Sequence, residues 1–254
     1  MDGLVEGPAA SLHEGPEDRK NKWRSYKNGR HTPSHLLAQE TEAKFPGSAR
    51  LLNHPVWQAL RLDKDPDQLV ANLLIQLPPE IFSVLRSGKH STKAPLDLDG
   101  WSRLRLRRLE SQVGLDALAS LVLLIRLAVN AQMQELAFEF GSALCRLLLM
   151  MGPWLTTRGI ASPLAEYITE SVLALGHHND QHHCFSAEGF VNASHRLHQS
   201  AWVIEGNENK RLTPRDRATL LLDLLGDKFS TPFSGMVTTC PRNPFAGAAQ
   251  HEAP

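Results

Sequence analysis

Six of the twelve histidines fall between His177 and His198, with Cys184 among them. They stand as HHNDQHHC from His177 to Cys184 and as SHRLH from Ser194 to His198. Neutral imidazole and thiolate are preferred zinc ligands, and a structural zinc site needs four of them converging as a tetrahedron. The candidate set is His178, His182, Cys184 and one of His195 or His198, assembled if the histidine-rich loop folds onto the next helix. His195 and His198 share a helical face, which suits joint ligation and ordinary packing equally. The spacing matches no standard finger or knuckle, and the plain alternative is a polar loop that is merely rich in histidine. For Cys184 as a nucleophile with a histidine base, the sequence supplies no oxyanion donor and no orienting partner. No cofactor is expected as the leading reading, and zinc is the one to test for.

A second chemical signal lies near the N-terminus. Arg19, Lys20, Lys22, Arg24, Lys27 and Arg30 are interleaved with Trp23 and Tyr26. Such cations can contact phosphates while the aromatic residues pack inward as one helical stripe. Lys22, Arg24, Lys27, Asn28 and Arg30 are the candidate nucleic-acid contacts, of which Arg24, Asn28 and Arg30 have the chemistry to reach base edges. The alternative is a solvated amphipathic helix docked by Trp23 and Tyr26, the commoner use of a charge run.

Trp23, Tyr26 and Gly29 sit three apart, and Thr32-Pro33-Ser34 then opens another short helix that Pro46-Gly47 closes. This W-x-x-Y-x-x-G-x-x-x-P-S pattern resembles the second half of repressor-type helix-turn-helix domains of the Cro/phage-repressor family. The resemblance covers about Asn21 to Gly47. It implies a recognition helix ending at Gly29, a following helix after Ser34, and DNA as a partner.

For enzymes, the missing patterns matter. There is no GxxxxGK[ST] phosphate loop, no GxGxxG, no GxSxG elbow and no HExxH. Paired carboxylates such as Asp97 with Asp99 and Glu166 with Glu170 have capping or surface readings that need no chemistry. Arg103, Arg105, Arg107 and Arg108 spread over more than half of one helix, wider than a phosphate-tracking stripe. Salt bridges to Glu110, Glu135, Glu139, Glu166 or Glu170 are the simpler use.

All of these residues must be positioned by helices. From Gly114 to Met151, Leu115, Leu118, Val122, Ile125 and Val129 form one stripe, and Leu136, Phe140, Ala143, Leu147 and Met151 form another after a break near Asn130. Both helices are apolar over most of their circumference, as buried helices are. Arg126 keeps the first below the ~18 apolar residues that a membrane span needs. Gly152-Pro153 is expected to end the second. Elsewhere Asp65-Pro66 and Thr213-Pro214-Arg215-Asp216 read as helix starts, Asp97 or Asp99 as the cap of the arginine-rich helix, and residues 177–185 as a loop.

The 254 residues carry 27 basic and 27 acidic side chains, so no global field favours nucleic acid or an anionic membrane. Cys145, Cys184 and Cys240 lie far apart without a CxxC, which argues against a disulfide framework and fits a reducing cytoplasm. The expected fold is all-α: an irregular bundle of roughly nine to eleven helices around the central 114–151 hairpin, with disordered termini. The segments are a disordered leader (1–18), a basic aromatic helical segment (19–47), a helical domain (48–226) and a flexible tail (227–254). The expected function is that of a non-enzymatic, cytoplasmic regulatory or adaptor protein binding another macromolecule, chiefly a protein, through residues 20–50. DNA binding is the alternative, zinc binding the third reading, and no membrane is expected.

Overall fold

The apolar periodicity at 114–151 produces a helical hairpin in the computed structural model, which describes residues 34–86, 96, 98, 100–207, 212–226 and 238–241. The first helices are α1 (His35–Lys44), α2 (Ser48–Leu52), α3 (Pro55–Ala59), α4 (Pro66–Gln76), α5 (Pro79–Arg86) and α6 (Arg103–Glu110). Then come the hairpin helices α7 (Leu115–Asn130) and α8 (Gln134–Thr157), and α9 (Ala161–Tyr167), which a π turn at Ile168–Val172 and a 3-10 turn at Leu173–Leu175 extend. Strand β1 (Gln181–Cys184), α10 (Ala187–Asn207), α11 (Pro214–Leu225) and strand β2 (Thr238–Pro241) complete the order. The fold is all-α apart from that two-stranded ribbon. The chain divides into two compact units between Asn53 and His54.

In the second unit α8 is the axis. Helices α6, α7, α9, α10 and α11 and strand β1 all pack on it. Phe140, Ala143, Leu144, Leu147, Leu148 and Leu149 are fully buried along it, and they face an equally apolar α7. By length and composition α8 could cross a membrane, but 67% of its apolar window is buried inside the protein. It is the core helix of this unit.

The turn between α7 and α8 is closed by backbone geometry. Gln132 takes a left-handed φ of 61°. The Met133 N–H then donates to Ala128 O at 2.8 Å, and the Gln132 N–H to Val129 O at 3.0 Å. That is the paired reverse bonding of a Schellman stop.

Gly152-Pro153 does not end α8, contrary to expectation; the helix runs on to Thr157 with Pro153 inside it. Proline has no N–H for the carbonyl four residues back. That carbonyl, Leu149 O, accepts instead from Ser194 Oγ on α10 at 2.9 Å. One residue on, Met150 O is bonded by His198 Nε2 at 3.0 Å. The real stop comes later, where Gly159 has φ 68° and Ile160 N–H reaches back to Leu155 O at 3.1 Å.

Buried arginines tie the shorter helices to the core. Arg126, in the middle of α7, donates through Nη1 to Ala59 O at 2.7 Å and through Nη2 to Lys64 O. Arg105 donates through Nε to Val84 O at 2.7 Å and through Nη2 to Leu85 O, with its guanidinium 4.0 Å over the Trp101 ring. Val84, Leu85 and Ala59 stand in the last turn of their helices, where the helix itself offers no donor, and Lys64 lies in the turn that follows Ala59. The expected salt bridges of the arginine-rich helix hold at Arg107, with an aspartate of α11 as the partner in place of the glutamates read from the sequence. Arg105 binds carbonyls, Arg107 pairs with Asp223, and Glu110 pairs with Arg146 on α8 at 2.7 Å. The cap of α6 is Ser102, whose hydroxyl accepts from Arg105 N–H at 3.2 Å. Asp97 and Asp99 lie outside the described residues.

Candidate functional site

Two regions carried functional expectations. The first is the segment from 19 to 47. Lys22, Arg24, Lys27, Asn28 and Arg30 lie outside the described residues, as do Trp23, Tyr26 and the leader at 1–18. The described part begins where the resemblance places its second helix. Ser34 caps α1, its Oγ accepting from Leu37 N–H at 3.3 Å. Helix α1 ends at Lys44, and Gly47, with φ 93°, turns the chain into α2.

Glu42 holds that turn. Its carboxylate accepts from Gly47 N–H at 2.7 Å, Ala49 N–H at 2.7 Å and Ser48 Oγ at 3.0 Å. A carboxylate on the exposed N–H groups of a helix start is the favourable sign for the helix dipole. The backbone donors of Ala49 and Gly47 hold the Glu42 carboxyl below its ordinary range. Along α1 and α2 no side chain is buried. Leu36 is 63% exposed and Phe45 68% exposed, which sets these apolar groups in solvent on a braced pair of helices.

The second region is the histidine-rich segment, and here the structure departs from the expected loop. His178 and Gln181 exchange backbone hydrogen bonds at 2.9 and 3.0 Å across Asn179-Asp180. Both turn residues are left-handed, at φ 50° and 58°. This is the geometry of a primed two-residue hairpin turn, which asparagine and aspartate tolerate. Residues 181–184 leave it as β1 and pair antiparallel with β2, in the register Gln181↔Pro241, His182↔Cys240, His183↔Thr239 and Cys184↔Thr238. Part of the expected flexible tail is therefore a strand.

Cys184 and Cys240 form a disulfide across this ribbon, with Cα atoms 6.1 Å apart. The argument from cysteine spacing against a disulfide is overturned. Spacing along the chain could not reveal a bond between residues 56 apart in sequence that a strand pairing brings together. Cys145 is the buried free thiol of α8, and burial pushes its pKa up, so it stays protonated and inert.

The five metal candidates separate. His178 is exposed, 3.8 Å from the Glu135 carboxylate and tilted on the Phe138 ring. His182 is half-buried on β1, and burial lowers its pKa. Cys184 is bonded to Cys240. His195 is exposed on α10, and His198 is committed to Met150 O. Among the described residues, no three His, Cys, Asp or Glu side chains are gathered to hold a metal ion.

No family model matches this chain, and no curated protein or solved structure matches it.

Two residues of this region were missed in the sequence. His183 turns inward, stacked on Phe138 with centroids 4.0 Å apart, its Nε2 donating to Phe138 O at 3.2 Å. Burial lowers its pKa to about 4, so the ring is neutral with its proton on Nε2. Gly141 admits it: a Cβ there would stand 3.2 Å from the imidazole. Cys240 is the other. The period-two alternation of a short strand could have marked QHHC, but TTCP gives no such signal within an unpatterned tail.

Proposed function

We propose that the chain is a non-enzymatic regulatory or adaptor protein that acts by binding another protein, with residues 20–50 as the contact region. The observation that carries this is the braced helix pair α1–α2. Glu42 fixes its turn, while Leu36 and Phe45 stand 63% and 68% exposed. Apolar side chains held in water on an ordered frame contribute most when a partner covers them. In the second unit Arg105, Arg126, Ser194 and His198 bond helix carbonyls and so serve packing instead. The test is capture of a partner by the tagged full-length chain. Leu36→Asp with Phe45→Asp should abolish co-purification and leave the helical circular dichroism unchanged. Retention of the partner by that variant would remove the reading.

The alternative is DNA binding through Lys22, Arg24, Lys27, Asn28 and Arg30. The start of α1 directly after its cap Ser34, where the repressor-type pattern has its next helix, favours it. It predicts a mobility shift that weakens steeply with salt and weakens again on Arg24→Ala with Arg30→Ala. No shift at low salt would end it.

A further inference from the structure

With the disulfide closed, no three such side chains are gathered on a metal among the described residues, but strand geometry sets His182, Cys184 and Cys240 on one face of the β1–β2 ribbon. Side chains two apart on a strand point the same way, and directly opposed residues of an antiparallel pair share a face. His182 and Cys184 are two apart on β1, and Cys240 is the cross-strand partner of His182. The disulfide itself demonstrates that the two sulfurs meet on that face. His182 Nδ1 is buried there and has no hydrogen-bond partner among the described residues.

We propose that the Cys184–Cys240 pair alternates between this disulfide and a metal site, in which both thiolates and the His182 imidazole bind a divalent ion of zinc type. This goes beyond the binding function proposed above and does not rest on it. While the disulfide is closed, each sulfur is bonded to the other and neither is a thiolate. Reduction by a dithiol adds two electrons and two protons to the sulfur–sulfur bond, and the dithiol is oxidised to its own disulfide. The two thiols then lose their protons to solvent as the metal binds. Two sulfurs and one nitrogen are the donors that zinc prefers, and the fourth tetrahedral position falls to water. A Cα separation of 6.1 Å already holds the two cysteines close enough to reach a shared ion once the bond between them opens. The ribbon is a short two-stranded pairing, too small to persist unaided. The metal would thus replace the disulfide as its cross-link, and β2 would stay attached in both redox states.

The site differs from the set read in the sequence. Cys240 enters it, while His195 and His198 remain on α10, with His198 bonded to the Met150 carbonyl.

The experiment uses the full-length chain and Co2+ as a spectroscopic stand-in for zinc. The disulfide is opened with a phosphine, which takes the oxygen of a water molecule to become its oxide and leaves two thiols. The phosphine is then removed without air. The reduced protein should bind one Co2+ per chain, with the intense ultraviolet bands of thiolate-to-cobalt charge transfer, and zinc should displace the cobalt. The oxidised protein should show none of these bands. Cys240→Ser and Cys184→Ser should each lose the charge-transfer intensity, and His182→Ala should weaken binding at least tenfold. Cys145→Ala should leave it unchanged. Circular dichroism of each variant keeps loss of the site distinct from loss of the fold. No bands in the reduced wild type, or bands undiminished in a folded Cys240→Ser variant, would overturn the proposal.

Discussion

Ser194 on α10 donates its hydroxyl to Leu149 O on α8 at 2.9 Å, the same carbonyl that Pro153 deprives of its helical donor. The proline does not break the core helix because its neighbour supplies the missing bond. The approach is close: a Cβ at residue 152 would stand 1.8 Å from Ser194 Oγ and 2.4 Å from its Cβ. Gly152 is thus the point at which α10 reaches α8.

Gly152→Ala should therefore destabilise the protein by about 1–3 kcal/mol or more, through overpacking that neither backbone can relieve cheaply. Ser194→Ala should cost about 1–3 kcal/mol for the unsatisfied carbonyl. The pair Gly152→Ala with Ser194→Gly should be more stable than the two single costs added together, since the clash is gone. Urea denaturation of wild type, Gly152→Ala, Ser194→Gly and the double variant measures this, and strict additivity would show that the contact is not tight.

Arg126→Met should cost about 2–4 kcal/mol, because the Ala59 and Lys64 carbonyls lose a charged donor in the interior. Arg126→Lys should recover only part of this, since one ammonium cannot reproduce the two-pronged geometry. Thermal unfolding of both variants decides it; equal Tm values for Arg126→Lys and wild type would refute the two-carbonyl role.

His183 predicts a pH dependence. Its pKa falls from the ordinary 6.5 to about 4 on folding, chiefly through burial. Protons therefore bind the unfolded chain more readily between these values. The stability it contributes is full above pH 6.5 and is lost as pH falls towards about 4. In denaturation series from neutral to acid pH, the difference between wild type and His183→Gln should shrink across that window. A constant difference would show that His183 titrates normally.

Opening the Cys184–Cys240 loop without adding metal should lower stability. Chain-entropy reasoning for a loop of this length gives about 4 kcal/mol as the scale. Cys240→Ser should reproduce the effect of reduction, and reductant should then change nothing further. A drop in Tm on reduction of the Cys240→Ser variant would place the effect elsewhere.

Glu42→Ala should loosen the α1–α2 turn, exposing the amides of Gly47 and Ala49 to hydrogen exchange while α8 keeps its protection. Because the Glu42 pKa is held low, the same loosening should appear in wild type only as acid protonates the carboxylate. Unchanged exchange at Gly47 and Ala49 in the variant would refute the clamp.

What the sequence determined by itself is what short-range physics encodes. The α7–α8 hairpin was legible because Leu118, Val122 and Ile125, and then Phe140, Ala143 and Leu147, repeat at helical spacing. The starts at Asp65-Pro66 and Thr213-Pro214 were legible because each cap bonds an amide two or three residues away. Tertiary structure alone decided whether Pro153 ends a helix, since the replacement donor, Ser194, lies 45 residues beyond the Leu149 carbonyl it serves. It also decided that Arg105 and Arg126 serve backbone carbonyls, and that Cys184 meets Cys240. Those outcomes depend on which surfaces pack together, and a local pattern of residue types carries no record of that.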